Sequence, residues 1–451
     1  MFDLLIKNIG MLATPVGCAP KKSAQHGEIC IIKNATIGIK NGVIEYVDSL
    51  EETSRQVQDN VGSHHHGLEK WQSVQAGREM VAMLAVPGAS TSHFDLGTPA
   101  VSRQTIDAGG RLVTPGLVDA HTHLVFGGFR QNELAAKLAG ADYLDILKAG
   151  GGILSTVEAT RSTSYDALLQ KSRGFLDNML AHGTTTVEAK SGYGLDFETE
   201  LNQLRITNEL NKTHPMDIVS TFMGAHTIPK EYKTNPQDYV ALLIDKIIPG
   251  MKGYAKFFDI FCESGVFDIR TSRKILQAAK AYGFIPKLHG DEVTPMGAAA
   301  LAAELGCISA EHLIEAADDG LHAMAEANTI AVLLPGTSFY LNKNYARARD
   351  MLKMGIAVAL GSDFNPGSNP CYNMQFVLTL ACLKLKLTPA EALTAVTLNA
   401  AAAIDLADKK GSIETGKDAD IVIWDCPDLD FLFYRYGNNQ VHKVVKRGAV
   451  I

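Results

Sequence analysis

The length, composition and charge of the chain restrict its possible functions. It has 451 residues, of which 46% are hydrophobic and 20% are charged, values typical of a globular protein and not of a disordered or fibrous one. Its formal net charge of −7 gives no electrostatic reason to expect nucleic acid or an anionic membrane surface as a partner, so we expect a protein that acts on a small molecule.

The first part of the chain, residues 1–113, is predicted to form short strands and turns. The segment "GEICIIKNATIGIKNGVIEYVD" alternates apolar and polar residues around Asn41-Gly42, which is a strong signal for a two-residue hairpin. Between about residues 51 and 100 the pattern weakens into a polar stretch, which we interpret as an insertion. The stretch includes His64, His65 and His66, for which we predict no function.

Residues 114–407 change to short apolar strands that alternate with longer helical segments. This pattern is typical of repeated βα units and a parallel sheet. Eight such units predict a closed (β/α)₈ TIM-like barrel, and Thr388, Pro389 and Glu391 predict a capping box at the start of its last long helix. The candidate strands are "GLVDAHTH", "TTTVEAKSG", "VSTFMGAH", "AKFFDIFCE", "IPKLHGDE", "ISAEHL", "TIAVLLPG" and "IAVALGSDF".

The last segment, residues 408–451, returns to alternating strand patterns such as "GSIETGKDADIVIWD". We predict that it joins residues 1–113 in one small β-sandwich domain, so that both chain ends build one unit beside the barrel. The seven cysteines are scattered and never spaced as Cys-x-x-Cys, which predicts neither a disulfide framework nor a cysteine zinc site. With no signal peptide and no apolar run of about 18 residues, we expect a cytoplasmic protein without a membrane span.

The ends of the predicted barrel strands carry an unusual set of polar residues. Active sites of such barrels lie at the carboxyl ends of the strands. Five of the chain's fourteen histidines fall there, together with acidic residues. They are His121 and His123 on strand one, His226 on strand three, His289 followed by Asp291 and Glu292 on strand five, His312 on strand six, and Asp363 on strand eight.

The pair His121 and His123 indicates a metal site. Side chains on a strand alternate with period two, so both imidazoles point into the barrel mouth. With His289 and Asp363 they give three nitrogens and one carboxylate, a set suited to zinc or iron with one position left for water. A lone histidine at a strand end is more often a packed residue than a ligand. The complete set is difficult to attribute to chance, and it predicts a metal centre.

Several motifs together resemble the amidohydrolase superfamily and, within it, the imidazolonepropionase family of histidine degradation. They are "TPGLVDAHTHLVFGG", "KSGYGLD", "FMGAHTIP", "KLHGDE", "AEHL" and "ALGSDFNPGS". The resemblance runs from about Thr114 to the carboxyl end. It implies metal-dependent hydrolysis of the cyclic amide of 4-imidazolone-5-propanoate to N-formimidoyl-L-glutamate, with His121, His123, His289 and Asp363 as the ligands of Zn²⁺ or of Fe²⁺ or Fe³⁺.

The resemblance also implies roles for other residues. Glu292 would move a proton from water to the departing ring nitrogen, and His226 would contact the substrate carbonyl and support the oxyanion. His312 would lie near the attacking water as a relay. The remaining matched residues would contact the substrate: Arg130 its carboxylate, Tyr193 the substrate itself, and Asn365, Gly367 and Ser368 the ring or the product.

The resemblance leaves two questions open. Superfamily members with two metals usually have a bridging lysine at the end of strand four, but here Lys256 lies at that strand's start, so we expect one ion per subunit and, by resemblance, a homodimer. The alternative enzyme is a superfamily deaminase acting on a purine, pyrimidine or related heterocycle. A non-catalytic scaffold is a third possibility, which the complete ligand set disfavours.

Overall fold

A computed structural model describes residues 1–47, 102–140 and 151–451. The predicted insertion at about residues 51–100 and the histidines His64–His66 lie outside the described residues. All seven cysteines are free. Among the described residues, no helix combines the length and the apolarity that crossing a bilayer requires.

Among the described residues, the first sheet contains eight strands drawn from both ends of the chain. β1 and β2 pair antiparallel, and β2 and β3 form the predicted hairpin, in which Asn41 and Gly42 have φ of 52° and 77° as such a turn requires. From the other end, β14 pairs with β5. The strands are β1 (Phe2–Thr14), β2 (Cys30–Lys40), β3 (Val43–Val47), β4 (Ser102–Asp107), β5 (Leu112–Pro115), β14 (Ile421–Trp424), β15 (Val441–Lys446) and β16 (Ala449–Val450).

This sheet has a hydrophobic core of its own. Alternate residues of its strands, among them Ile6, Ile37, Ile39, Ile421 and Val445, are buried together in one cluster separate from that of the barrel. Burial of one face at period two explains why alternation in the sequence predicted the β2–β3 hairpin and the strand β14. The boundaries of the domains stay predictions, although β5 is part of this sheet and the first barrel strand begins two residues after β5 ends.

The second sheet is the predicted barrel, with eight parallel strands in sequence order. Each of the eight predicted segments overlaps one strand, with β8 beginning two residues earlier than predicted, so the prediction of a (β/α)₈ fold is confirmed. The strands are β6 (Leu117–Thr122), β7 (Thr184–Lys190), β8 (Asp217–Ala225), β9 (Phe257–Cys262), β10 (Ile285–Gly290), β11 (Ser309–His312), β12 (Ile330–Leu333) and β13 (Val358–Leu360).

Backbone contacts between the first and last strands close the barrel. The amide of Asp363 donates to the carbonyl of His121 at 3.0 Å, and the amide of His123 donates to the carbonyl of Phe364 at 2.8 Å. These two bonds hold the end of β6 against the segment that follows β13. The closure therefore places two histidines of one motif beside the aspartate of another, 240 residues away in the chain.

Helices connect and cover the barrel strands. The helix Pro389–Ala395 begins with the predicted capping box, because Thr388 and Glu391 cap each other's backbone amides. The α-helices are Leu134–Leu138, Ile153–Ser162, Tyr165–Ala181, Phe197–Thr213, Pro236–Leu242, Ile248–Gly250, Ile269–Ala281, Ala298–Glu304, Asp318–Ala327, Pro335–Tyr340, Ala348–Lys353, Met374–Leu383, Pro389–Ala395, Leu398–Ala403 and Leu429–Tyr434. A π-helical turn, Leu243–Ile247, and 3₁₀ turns at Ser23–Gly27, Gln131–Glu133 and Lys230–Tyr232 complete the helical elements of the described residues.

Candidate metal centre and active site

The four predicted metal ligands converge at the carboxyl end of the barrel. His121 Nε2 lies 3.4 Å from His123 Nε2 and 3.4 Å from Asp363 Oδ1, and His123 Nε2 lies 3.7 Å from the same oxygen. Ligand atoms of His121, His123 and His289 all lie within 4.8 Å of one another. Four side chains from three distant parts of the sequence thus face one small volume.

The spacing of these atoms fits a transition-metal ion. In a tetrahedral site with bonds of about 2.1 Å, ligand atoms are about 3.4 Å apart, close to the distances among His121, His123 and Asp363. The Nε2 atom of His289 is buried and has no hydrogen-bond partner among the described residues. A buried polar atom without a partner is costly, and a cation at this point would satisfy it. The donor set of three nitrogens and one carboxylate suits zinc or iron.

The charge states of three of the four ligand candidates favour a cation, and His121 is the exception. Burial lowers the pKa of His123 and of His289, which keeps both imidazoles neutral and able to coordinate. Although burial alone would raise the pKa of Asp363, its contacts with His121, His312 and Thr337 hold it below the usual range. Without a cation, the adjacent carboxylates of Glu311 and Asp363 raise the pKa of His121 to about 9 against the effect of burial.

A layer of charged side chains below the ligands was missed by the sequence analysis. Glu188 and Lys190 on β7, Asp259 on β9, Lys287 on β10 and Glu311 on β11 have fully buried side chains. Lys190 Nζ lies 3.0 Å from Glu311, and because β7 and β11 lie four positions apart in the ring, this contact crosses the barrel interior. The interior of such barrels is usually filled by branched apolar residues.

Two carboxylates of this layer touch metal-ligand candidates. Asp259 Oδ1 lies 3.0 Å from His289 Nδ1, and Glu311 Oε2 contacts His121 Nδ1. A carboxylate this close to Nδ1 favours a proton on that nitrogen and leaves Nε2 for coordination, although neither pair has the alignment of a hydrogen bond. The only sequence signal for this layer is the spacing of two in "EAK" and "KLH", where a charged residue repeats on one face of an otherwise apolar strand.

One more buried carboxylate that was not singled out from the sequence, Asp119, joins the ends of the barrel. Asp119 accepts hydrogen bonds from the amide and the hydroxyl of Ser362 and from the amide of His121. Burial raises its pKa to about 6 against these bonds. Since Ser362 precedes Asp363, the contact fixes the position of two ligand candidates at once.

Glu292 lies in a loop whose backbone is fixed from both sides. Asp291 is fully buried and accepts hydrogen bonds from four amides at the start of the helix Ala298–Glu304, at 2.8–3.1 Å. Glu263 accepts from the amide of Val293 at 3.0 Å. Glu292 itself is 16% exposed, and burial together with the charge of Asp363 raises its pKa to about 7. A carboxyl with this pKa can exchange a proton near neutral pH.

His312 stands next to Glu292, with its Nε2 atom 3.7 Å from the Glu292 carboxylate. Burial lowers its pKa to about 4, so it is neutral near pH 7. His312 and Leu313 have φ of 71° and 57°, a backbone conformation that non-glycine residues seldom adopt and that clusters at functional sites. The structure thus places His312, the predicted relay, beside Glu292, the predicted proton-transfer residue.

His226 and Tyr193 cover the other side of the ligands. The His226 ring stacks on His123 with 4.8 Å between centroids, and Tyr193 lies 5.3 Å from His226. The carbonyl of Gly192, 3.1 Å from His226 Nδ1, can only accept, so Nδ1 carries the proton. Burial lowers the pKa of His226 to about 3, so its Nε2 is an acceptor. This tautomer does not fit the predicted donation to an oxyanion.

Arg130 packs directly on the backbone of Gly367. A Cβ at Gly367 would lie 0.9 Å from Arg130 Nη2, so only glycine leaves room for the guanidinium in this position. The Arg130 Nε atom is buried and has no hydrogen-bond partner among the described residues. A guanidinium with an unused donor beside the loop that carries Asp363 is suited to bind the carboxylate of a small molecule.

The loop after β13 uses the polar atoms of Asn365 internally. The Asn365 carbonyl oxygen accepts from the amides of Gly367 and Ser368, at 2.8 and 2.7 Å. Its amide nitrogen donates to the carbonyl of Asp363 and to the Ser368 hydroxyl. A carboxamide has two donors and two acceptor lone pairs, so none remains for a substrate in this arrangement. Asn365 here shapes the loop that carries Asp363.

Lys256 does not reach the ligands. It precedes β9, and its ammonium contacts the side chain of Asp405 at 2.8 Å and the Asp405 carbonyl at 3.1 Å. It therefore lies at the amino-terminal end of the strand, as the sequence analysis expected, and away from the ligands at the carboxyl end.

Comparisons with known proteins agree with this architecture. Residues 112–451 match the profile of the Amidohydrolase family. The chain is 44% identical over 455 residues to the imidazolonepropionase of Geobacillus sp. (strain WCH70), covering 100% of this chain and 98% of the relative. It is 45% identical to the imidazolonepropionase of Bacillus cereus (strain B4264), with coverages of 100% and 97%.

A solved structure shows the same fold at low identity. The adenosine deaminase of Xanthomonas campestris aligns with a TM-score of 0.64 and 18% identity, over 100% of this chain and 92% of the deaminase. That likeness concerns the fold alone. The family profile and the full-length relatives show more: the chain belongs to the amidohydrolase family and, within it, to the imidazolonepropionases.

Proposed function

We propose that the protein hydrolyses the cyclic amide of 4-imidazolone-5-propanoate and releases N-formimidoyl-L-glutamate. The observation that carries this proposal is the combination of 44% identity to an imidazolonepropionase over the whole chain with a barrel mouth at which four candidate metal ligands converge beside the carboxyl of Glu292. The substrate's propanoate side chain is the feature that separates this reaction from deamination of an uncharged ring.

The metal ligands in this proposal are His121, His123, His289 and Asp363, which hold one divalent ion per subunit, Zn²⁺ or iron. The absence of a lysine ammonium at the end of β9 supports a single ion, because Lys256 lies at the strand's start. When bound, the ion supplies Lewis acidity, which polarises the ring carbonyl and lowers the pKa of water.

Glu292 moves the proton in the proposed reaction. As a carboxylate it accepts a proton from the attacking water, and it then gives that proton to the ring nitrogen while the C–N bond breaks. Burial and the charge of Asp363 raise the pKa of Glu292 to about 7 in the metal-free site, and a carboxyl whose pKa is raised toward neutrality can both accept and return a proton. His312, 3.7 Å away and neutral, keeps a polar partner beside Glu292 during the transfer.

His226 and Tyr193 would form one wall of the substrate site. Because His226 presents Nε2 as an acceptor, we propose that it receives a hydrogen bond from a ring N–H of the substrate and so orients the ring. Tyr193, buried against the same imidazole, would limit the thickness of the ring that can enter. This contact replaces the donation to the carbonyl that the family resemblance implied.

Arg130 would bind the propanoate carboxylate through its guanidinium, with Gly367 giving it space and Ser368 at the rim of the same loop. Hydrogen bonds between charged partners contribute roughly 1.5–3 kcal/mol each. A heterocycle without a carboxylate gains nothing from this contact. Arg130 is therefore the residue whose replacement separates the proposed hydrolase from a deaminase.

The proposal is tested with imidazolone propionate generated enzymatically immediately before use, because the compound is unstable. We expect the wild-type protein to remove its ultraviolet absorbance and the His289→Ala variant to leave the background rate. Guanine, adenine and cytosine serve as competing substrates. Turnover of one of these, with no turnover of imidazolone propionate, would establish the deaminase alternative.

The oligomeric state in this proposal follows the family resemblance, and the cellular location follows the cysteine pattern. We propose a homodimer, which sedimentation analysis of the purified protein measures directly. We also propose that the enzyme works in the cytoplasm, in keeping with its seven free cysteines, and cell fractionation tests this location.

A further inference from the structure

We infer that Lys190 is a positioning residue that orients the metal ligands His121 and His289 through Glu311 and Asp259. The inference rests on the proposed metal site and concerns how that site is built. Lys190 follows Glu188 by two residues at the end of β7, and its ammonium lies below the ligands inside the barrel.

The contacts of Lys190 lead directly to both histidines. Its Nζ atom lies 2.7 Å from Asp259 and 3.0 Å from Glu311. Asp259 lies 3.0 Å from Nδ1 of His289, and Glu311 contacts Nδ1 of His121. One ammonium therefore holds two carboxylates from different strands, and each carboxylate holds one ligand ring with its Nε2 facing the centre.

The cost of burying this layer argues for such a role. Three carboxylates and two ammonium groups are fully buried here, and each buried ion carries a desolvation cost that ion pairing does not reliably return. Apolar side chains would fill the barrel at lower cost. Stability alone gives no reason to retain the charges, whereas precise support of ligand rings does, because partners of coordinating histidines set ring orientation and tautomer.

The charge balance of the layer agrees with this inference. Glu188, Asp259 and Glu311 against Lys190 and Lys287 leave one formal negative charge. The nearby Asp363 adds a second. A divalent cation bound by the histidines and Asp363 would offset these two negative charges.

The main test replaces Lys190 by methionine, which keeps much of the side-chain volume and removes the charge. Zn²⁺ affinity is measured on the metal-free protein by competition with a chelator, and the visible spectrum of the Co²⁺ form reports ligand geometry. We expect Zn²⁺ affinity to fall roughly 10- to 100-fold, the range typical for lost partners of coordinating histidines. The Co²⁺ spectrum should change, and at saturating metal kcat should fall more than KM rises.

A matched control is present at the other end of the barrel. Lys410 is also buried and pairs with Asp217, Asp418 and Asp420 at 2.6–2.8 Å. Asp217 is the first residue of β8, whereas the ligands lie at the strand ends. Lys410→Met removes a comparable buried ammonium and should reduce thermal stability while leaving the Zn²⁺ affinity and the Co²⁺ spectrum of the histidine site unchanged. Any ion bound by Asp217, Asp418 and Asp420 in this variant is counted separately by metal stoichiometry.

A second variant decides the question if Lys190→Met does not fold. Asp259→Asn keeps the shape of the side chain that touches His289 and removes its charge, and we expect it to weaken Zn²⁺ binding at least about 10-fold. Unchanged Zn²⁺ affinity in Asp259→Asn, or equal losses in Lys190→Met and Lys410→Met, would overturn the inference. A wild-type protein that takes up no metal would instead overturn the proposed function.

Discussion

Replacing Glu292 by glutamine should lower activity and raise stability at the same time. The proposed reaction needs a carboxylate that accepts and returns a proton, and glutamine does neither while keeping nearly the same shape. Burial and the charge of Asp363 make the ionised form of Glu292 unfavourable in the folded protein. The ionised side chain therefore supports the reaction and destabilises the folded protein.

The size and sign of the stability effect follow from the pKa of Glu292. It is raised from 4.5 to about 7, and each pKa unit corresponds to about 1.4 kcal/mol. Glu292 does not lower the stability of the fold below pH 4.5, where it is protonated in both the folded and the unfolded state. The cost grows as the pH rises to 7 and is then constant at up to about 3 kcal/mol. Glu292→Gln should therefore stabilise the metal-free protein at pH 8 and not at pH 4.5.

The measurements are thermal unfolding of the metal-free protein across this pH range and steady-state kinetics of the loaded enzyme. We expect kcat to fall by roughly 10²–10⁴, the usual contribution of a general acid–base group. In the wild type, kcat/KM should fall as the pH drops through a midpoint at or below about 7, because a bound cation favours the carboxylate. Glu326→Gln, an exposed change of equal charge on the helix Asp318–Ala327, is the control.

Two results would refute this reasoning. A Glu292→Gln enzyme that retains more than a tenth of wild-type kcat would remove Glu292 from the proton transfer. A variant with wild-type stability at both pH 4.5 and pH 8 would show that the folded protein does not penalise the ionised side chain. The catalytic effect and the stability effect are independent, so either prediction can fail alone.

Three further predictions concern the substrate and the metal. Arg130→Lys should raise KM for imidazolone propionate roughly 10- to 100-fold, since lysine lacks the two-pronged contact, and an unchanged KM would remove Arg130 from carboxylate binding. Gly367→Ala should raise KM by a similar factor without loss of Zn²⁺ affinity, because the new methyl displaces the Arg130 guanidinium. The control is Gly174→Ala, whose added methyl has no neighbouring atom within 4 Å and should leave the kinetics unchanged. Removal of the metal by a chelator should lower both activity and Tm. Adding Zn²⁺ at 100 times its Kd should raise the free energy of unfolding by about 2.7 kcal/mol, and a Tm that does not respond to Zn²⁺ would contradict a metal site that forms on folding.

The barrel could be predicted from the sequence because its strands and helices follow simple patterns. Each strand is a short apolar run between helical segments, and the capping box at Thr388 and Glu391 marks a helix start by local chemistry alone. The hairpin at Asn41-Gly42 follows from the positive φ that its two residues tolerate. These features depend on neighbours in the chain, so no tertiary information was needed.

The charged layer could not be predicted in the same way. A lysine or glutamate at every second position of a strand usually marks a solvent-facing side, and only closure of the ring places Lys190 against Glu311. The roles of His226 and Asn365 likewise depend on hydrogen bonds to backbone groups that the sequence does not reveal. The sequence predicted which residues stand at the strand ends. The tautomers of the histidines and the hydrogen-bond and ion-pair partners of these residues could be seen only in the three-dimensional structure.

The pairing of β5 with β14 constrains the order in which the molecule can form during synthesis. About 300 residues separate these two strands, and the whole barrel is encoded between them. Until the ribosome has delivered β14, the edge of β5 has no partner on that side, although the barrel sequence has already emerged. Exposed strand edges promote association between chains. Nascent chains arrested before β14 should therefore be the species most dependent on chaperones.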